Sequence, residues 1–271
     1  MRNGSTCPRS TATRLVVTAL CCLVATLWSA DPGQGAERRI LLVASSRAES
    51  LPPVRSIGAD AGQIARCYEL LTRAGDLVEI ASPNGGPVPL EGIDALGEHD
   101  RDLLQGSDLA TSLRSSLPLR ETLGRDYDAI IVLGGHGALW DLSENTTLHE
   151  RIVRTQDGGG AIAAIAQGVA GLLDVRQTDG AWLLQGRTVT GATDAEEAKL
   201  GFFGRLPIAL RARVEAREGI WNGAPAFSPN VIVSRGVVTG QNTISTPGVI
   251  HFLTRVLERQ KIESGPAPVA R

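Results

Sequence analysis

The segment AIAAIAQGVAGLL, residues 161–173, has the pattern of a nucleophile site without a nucleophile. An apolar run breaks at 166–168, Ala-Gln-Gly, and resumes as small apolar residues typical of a helix. A strand that turns sharply into a helix presents the side chain at the tip of the turn. Here that residue is Ala166, whose methyl group has neither covalent nor acid–base chemistry.

A second candidate is the turn GGHG at 134–137. The backbone N–H groups of a Gly-Gly turn that opens toward a helix point outward, and such groups can hold an oxyanion. The same turn also serves simply to cross from a strand to a helix. The motif alone therefore leaves both roles open.

These turns need a sheet to position them. Strands and helices alternate in the first half of the chain, and the strands are apolar on both faces. The predicted strands are 38–46, 77–83, 127–137 and 161–166, and the predicted helices are 58–75, ending at Gly75, and 145–156. This alternation predicts an α/β fold with a mostly parallel sheet and helices on both faces. The carboxyl ends of such strands gather the ligand-binding turns.

The second half of the chain has a shorter period. Strand pairs or a hairpin are predicted at 182–191 and 230–240, the latter turning at Arg235-Gly236. An amphipathic helix is predicted at 206–218, and a helix that closes the domain is predicted at 247–261. The stretch 84–126, rich in Gly, Pro and charge, is predicted to be a long insertion that overhangs a site.

Four segments, in the same order along the chain, resemble the PfpI branch of the class I glutamine amidotransferase-like superfamily. They are DYDAIIVLGGHGALWDL, AAIAQGVAGLL, VTGATDAEEAKLG and VVTGQNTIS. The closest subgroup is that of the heat-shock glyoxalase III and chaperone proteins, which are relatives of the parkinsonism-associated deglycase. The resemblance covers residues 38–260, and it implies a flavodoxin-like α/β fold and a homodimer.

The resemblance also assigns roles to individual positions. The turn of this family has the form A-x-C-H-G, so Ala166 stands where the cysteine nucleophile is expected and Gln167 where its neighbouring histidine is expected. The glutamate of the first helix corresponds to Gln63. A third carboxylate is retained as Glu197.

The oxyanion glycine of the family corresponds to Gly135, and its neighbour His136 is retained. The chain thus departs from the pattern at three positions that perform the covalent chemistry. A thiolate is needed because it adds to an aldehyde carbonyl near neutral pH, and neither alanine nor glutamine can replace it or its base. We therefore predict a degenerate active site with no intact catalytic residue.

Each site residue also has a simpler interpretation. Gln63 and Gln167 either bind a small polar ligand or pair with each other. Glu197 orders the helix that the signal TDAEE begins at Asp194. Cys67 lies one turn after Gln63 on the same helix face, where it is either an alternative thiol or a small buried hydrophobe.

Composition restricts the partners. The formal net charge is -2 and there is no basic stripe, so nucleic acid is not an expected partner. The four histidines are scattered singly, which predicts no metal site, and we expect no cofactor.

Residues 1–36 resemble an export signal. Three arginines precede an apolar run at 15–30, followed by DPGQG. The run is too short for an ordinary membrane span, so a cleaved signal peptide is favoured over an uncleaved anchor. We predict an exported domain at 37–262 and a disordered tail at 263–271.

Together these features predict an exported, catalytically inactive relative of glyoxalase III that acts in ligand binding, chaperone-like or stress-related roles. The alternative is an active glyoxalase, hydratase or amidase-type enzyme in which Glu197, His136 or Cys67 has been recruited.

Overall fold

The computed structural model describes residues 37–51 and 55–264. Its strands are β1 Arg39–Val43, β2 Glu49–Leu51, β3 Arg55–Ile57, β4 Ala59–Asp60, β5 Leu77–Ser82, β6 Leu90–Glu91, β7 Leu117–Pro118, β8 Ala129–Val132, β9 Ala161–Ile165, β10 Thr188–Val189, β11 Ile220–Trp221, β12 Val231–Ser234 and β13 Val237–Gly240.

The α-helices are α1 Ala61–Arg73, α2 Glu98–Gln105, α3 Ser107–Arg114, α4 Leu119–Thr122, α5 Ala138–Asp141, α6 Thr146–Asp157, α7 Asp194–Leu200, α8 Leu210–Ala216 and α9 Thr246–Ser264. Three further turns are 3₁₀-helical: Ile93–Ala95, Ala166–Leu172 and Thr243–Ser245.

Seven strands form one sheet in the order β12-β13-β9-β8-β1-β5-β7. Every pairing is parallel except that of β12 with β13. The two strands that lead into the candidate turns, β8 and β9, are adjacent and buried along their whole length. The predicted flavodoxin-like α/β fold, with a mostly parallel sheet, is confirmed.

The hairpin prediction at 230–240 is also confirmed. Arg235 and Gly236 both have positive φ, 48° and 80°, as a tight turn between β12 and β13 requires. The hairpin is not a separate region, because β13 continues the main sheet beside β9. The strand pair or hairpin predicted at 182–191 does not form. The region contains only the short strand β10, which pairs in parallel with β11.

Helix boundaries shift where another element competes for the same residues. The first helix begins at Ala61 instead of 58, because residues 59–60 form β4 with β6. Asp60 caps this helix by accepting a hydrogen bond from the Gln63 backbone N–H at 2.9 Å. The predicted helix at 206–218 is shortened to α8.

The stretch 84–126 is more ordered than a bare loop. It contains β6, β7 and the helices α2, α3 and α4. Strand β7 joins the edge of the main sheet beside β5. The insertion therefore forms structured elements at one end of the sheet, and one of its residues reaches the candidate site.

The predicted leader at 1–36 lies outside the described residues. So does the tail from 265 onward, while α9 continues through 264. Within the described part of the chain, no helix is long and apolar enough to cross a membrane.

Candidate functional site

Ala166 forms the tip of a strained turn between β9 and the 3₁₀ segment. Its φ of 52° lies in the left-handed region, which costs an L-residue other than glycine about 1–2 kcal/mol. The residue is 5% exposed. The segment that follows is 3₁₀-helical, where an ordinary helix was expected. The turn therefore presents its tip side chain sharply, and that side chain is a methyl group.

Close packing explains the glycine that follows. A β-carbon at Gly168 would lie 2.4 Å from the Val132 carbonyl oxygen, which is shorter than any tolerated contact. Because β8 and β9 are neighbours, the turn after β9 must pass directly over the end of β8. Glycine at this position allows that approach.

The facing turn, 134–137, depends on glycine in the same way. Gly135 has a φ of 101°, and a β-carbon there would lie 2.3 Å from the Gly58 carbonyl oxygen. A β-carbon at Gly134 would lie 2.8 Å from Gln63 Nε2 and 2.9 Å from Ala166 Cβ. The first helix and the two turns therefore converge at Gly134, as the family resemblance implies.

Both glutamines close this turn. The Gly134 N–H donates to Gln63 Oε1 at 2.7 Å, and the Gly135 N–H donates to Gln167 Oε1 at 3.2 Å. The two amides do not pair with each other, which was one of the alternatives. They accept the backbone N–H groups that would otherwise be available to an oxyanion.

Glu197 is the centre of a buried hydrogen-bond chain. Its Oε1 accepts from Gln167 Nε2 at 2.8 Å, and its Oε2 accepts from His136 Nε2 at 3.0 Å. All three residues are less than a tenth exposed. Gln167 and His136 thus both donate to the buried Glu197 carboxylate.

Glu196, the neighbour of Glu197, caps helix α7. Thr193 and Glu196 form a capping box, with the Thr193 side chain accepting from the Glu196 backbone N–H. Glu196 also binds Asn242 Nδ2 at 2.8 Å. The predicted capping signal is therefore real, but its assignment to Glu197 was wrong, because the Glu197 carboxylate points to His136 and Gln167.

Glu91, which the sequence analysis missed, completes the chain on the other side of His136. Its Oε1 accepts from the His136 backbone N–H at 3.0 Å and lies 2.8 Å from His136 Nδ1. Its Oε2 accepts from the Gly58 N–H at 3.0 Å. Glu91 lies in β6, within the insertion, and the prediction that the insertion overhangs a site was the only available signal.

His136 is held as a cation. Burial alone would lower its pKa, but the hydrogen bonds and charges of Glu197 and Glu91 outweigh burial and raise the pKa to about 9. Its ring also stacks on Phe202, with centroids 3.8 Å apart. At neutral pH the imidazolium donates from both ring nitrogens, so it cannot accept a proton there.

The remaining candidates lie away from this chain of contacts. Cys67 is completely buried in the hydrophobic core, and burial raises the pKa of its thiol far above the neutral range. This placement favours the buried-hydrophobe interpretation over an alternative nucleophile. Among the described residues, no group of three or more His, Cys, Asp or Glu side chains is arranged to hold a metal ion.

A pocket of about 160 Å³ opens beside Gln167 and Glu197. The remaining lining residues are mostly apolar: Leu139, Ala192, Asp194, Phe203, Gly204, Leu206, Ile208, Ala209 and Leu210. Neither Ala166 nor Gln63 lines it. This pocket therefore adjoins the carboxylate side of the site and not the tip of the turn.

Known proteins resemble this chain over most of its length, although no family model matches it. A bovine (Bos taurus) glutamine amidotransferase-like class 1 domain-containing protein 1 is 27% identical over 215 residues, covering 79% of this chain and 91% of its own. The Schizosaccharomyces pombe glutathione-independent glyoxalase hsp3102 is 27% identical over 178 residues, covering 62% and 74%.

Among solved structures, glyoxalase III from Candida albicans superposes with a TM-score of 0.74 at 20% identity, covering 81% of this chain and 97% of that one. Its low identity supports the fold alone. The chain is therefore similar in sequence to glutamine amidotransferase-like class 1 domain proteins and glutathione-independent glyoxalases, and it shares the fold of glyoxalase III.

Proposed function

We propose that this protein is a catalytically inactive relative of the glyoxalases that acts by binding and not by turnover. The observation that carries the proposal is the left-handed Ala166 at the nucleophile position, facing a Gly-Gly turn whose N–H groups are already taken by Gln63 and Gln167. The pocket beside Gln167 and Glu197 supports a ligand-binding role, and a chaperone-like or stress-related role is part of the same proposal.

Chemistry at this site lacks both of its necessary parts. Addition to an aldehyde needs a nucleophile, and the methyl group of Ala166 has none. The amides of Gln63 and Gln167 have no titratable proton, so neither can shuttle one. Loss of one member of such a group costs about 10³-fold or more in rate, and further losses are not additive.

A direct assay tests the proposal. The domain beginning at residue 37 is incubated with methylglyoxal, and lactate is measured, with a glutathione-independent glyoxalase as the positive control. We expect lactate formation no faster than in buffer. Turnover that is abolished by Glu197→Gln would overturn the proposal.

The buried pairing of His136 with two carboxylates favours one alternative, an enzyme of the glyoxalase, hydratase or amidase type that works without the cysteine. In that case the His136–Glu197 pair would donate a proton to a substrate in the adjacent pocket. Turnover of an aldehyde, alkene or amide substrate that His136→Gln abolishes in a folded protein would support it.

We also propose export, directed by residues 1–36, and a homodimer like that implied by the family resemblance. Cell fractionation with and without residues 1–36 tests the first. Sedimentation of the purified domain tests the second, and a monomer at micromolar concentration would contradict it.

A further inference from the structure

The pocket beside Glu197 has a buried floor and an open mouth. Leu139, Ala192 and Leu210 are each less than a tenth exposed and form its deep apolar wall. At the mouth, Phe203 is 61% exposed and Asp194 is also exposed. A small molecule can therefore enter from solvent and bury most of its apolar surface.

The charged side chains that line the pocket are all acidic. Two carboxylates, Asp194 at the mouth and Glu197 at the floor, face the pocket, and no basic side chain is among its lining residues. Behind the lining, the His136 imidazolium is bonded to Glu197 and Glu91 together. One imidazolium between two carboxylates leaves the group with a net negative charge.

Glu197 also retains the capacity to accept further hydrogen bonds. Each of its oxygens accepts one described bond, from Gln167 or from His136, while a carboxylate has about four acceptor positions. A donor group that enters the pocket would therefore meet a buried acceptor that is already oriented by two neighbours. Preorganisation of this kind lowers the cost of binding.

From these features we propose that the pocket binds a small amphipathic amine, with its ammonium group near Glu197 and an apolar body against Leu139 and Leu210. The volume of about 160 Å³ is close to the roughly 150 Å³ of a cavity that accepts benzene, so the body is about one ring in size. This assignment rests on the proposed function, because it gives the retained pocket a ligand class.

A matched series of three compounds, measured by calorimetry at pH 7, tests whether the pocket prefers a positively charged head group. Benzylamine, benzyl alcohol and benzoate share one ring and differ in the charge of the head group. We expect the amine to bind at least about tenfold more tightly than the alcohol, because it gains a charge-assisted hydrogen bond, and we expect no binding of benzoate. Equal binding of amine and alcohol, or preference for benzoate, would overturn the proposal.

Three variants locate the binding. Ala192→Leu fills the deep wall and should abolish binding of the amine, while Asp194→Asn should weaken it without reshaping the floor. Glu258→Gln, which removes an exposed carboxylate of α9 outside the lining, is the control and should bind as the parent does. Unchanged affinity in both pocket variants would overturn the assignment of the site.

The two proposals fail separately. Turnover of methylglyoxal would overturn the inactive assignment whatever the amine does. Absence of amine binding in a folded protein would overturn the pocket assignment and leave the aldehyde assay unaffected.

Discussion

Gln167 donates a hydrogen bond to Glu197 at 2.8 Å, and through this contact an uncharged amide holds the one carboxylate of the family pattern that the chain retains. The carbonyl end of the same amide accepts the Gly135 N–H. The Gln167 side chain therefore links its own turn to the Gly134–Gly135 turn and to α7.

Restoration of the family residues should restore thiol reactivity. In the variant with Ala166→Cys, Gln167→His and Gln63→Glu, the new thiol stands at the tip of the left-handed turn beside a base and a carboxylate. We expect iodoacetamide to label position 166 and to leave the buried Cys67 unlabelled, as mass spectrometry of the native protein would show. No labelling of position 166 in a folded variant would mean that the correspondence of the turn is wrong.

Glycine at the tip should stabilise the protein. Ala166→Gly relieves the strain of a φ of 52°, and the relief exceeds the entropic cost of glycine, so the free energy of unfolding should rise by up to about 1 kcal/mol. The matched control is Ala163→Gly, which removes a methyl group from the buried strand β9 and should destabilise. Urea denaturation measures both, and an equal loss of stability in the two variants would contradict the strained turn.

Alkaline pH should weaken the fold through His136. Because its pKa is raised from an unfolded value of about 6.5 to about 9, its stabilising contribution is fully present below pH 6.5. That contribution is lost as the pH rises through 9. The urea midpoint of the parent should therefore fall between pH 6.5 and 9.5 more than that of His136→Gln, and parallel pH profiles for the two proteins would contradict the assignment.

Gly135 and Gly75, which both have positive φ, allow the cost of close packing to be separated from that of backbone strain. Gly135→Ala places a β-carbon against the Gly58 carbonyl at a φ of 101°, so we expect a loss of more than about 3 kcal/mol or no folded protein. Gly75→Ala has a similar φ, 84°, but no atom lies within 4 Å of its β-carbon. It should cost only about 1 kcal/mol, and equal costs in circular dichroism melts would show that backbone strain alone sets the effect.

The regular elements could be predicted from the sequence because their signals are local. Doubly apolar strands such as β8 and β9 stand out from their flanks, and the Arg235-Gly236 turn indicated its hairpin. The start of α1 could not be placed, because residues 59–60 are taken up by pairing with β6, a strand of two residues far along the chain.

Some residues of the candidate site could also be predicted from the sequence, and others could not. The resemblance singled out Gln63, Ala166, Gln167 and Glu197, and these residues do converge on the Gly134–Gly135 turn and its neighbour His136. Glu91 has no local signal, since its partners are brought to it only by the folded insertion. Glu196, and not Glu197, caps α7 because of the direction in which each side chain points from the helix. Two adjacent glutamates in a sequence do not specify these directions.

His136 joins two distant parts of the chain through one aromatic ring. One partner is Glu91 of the insertion, whose second carboxylate oxygen accepts the Gly58 N–H in front of α1. The other partner is Glu197 of α7, which lines the pocket. A charge placed beside Glu197 would therefore act on the same imidazole that Glu91 holds, and through Glu91 on the backbone N–H of Gly58.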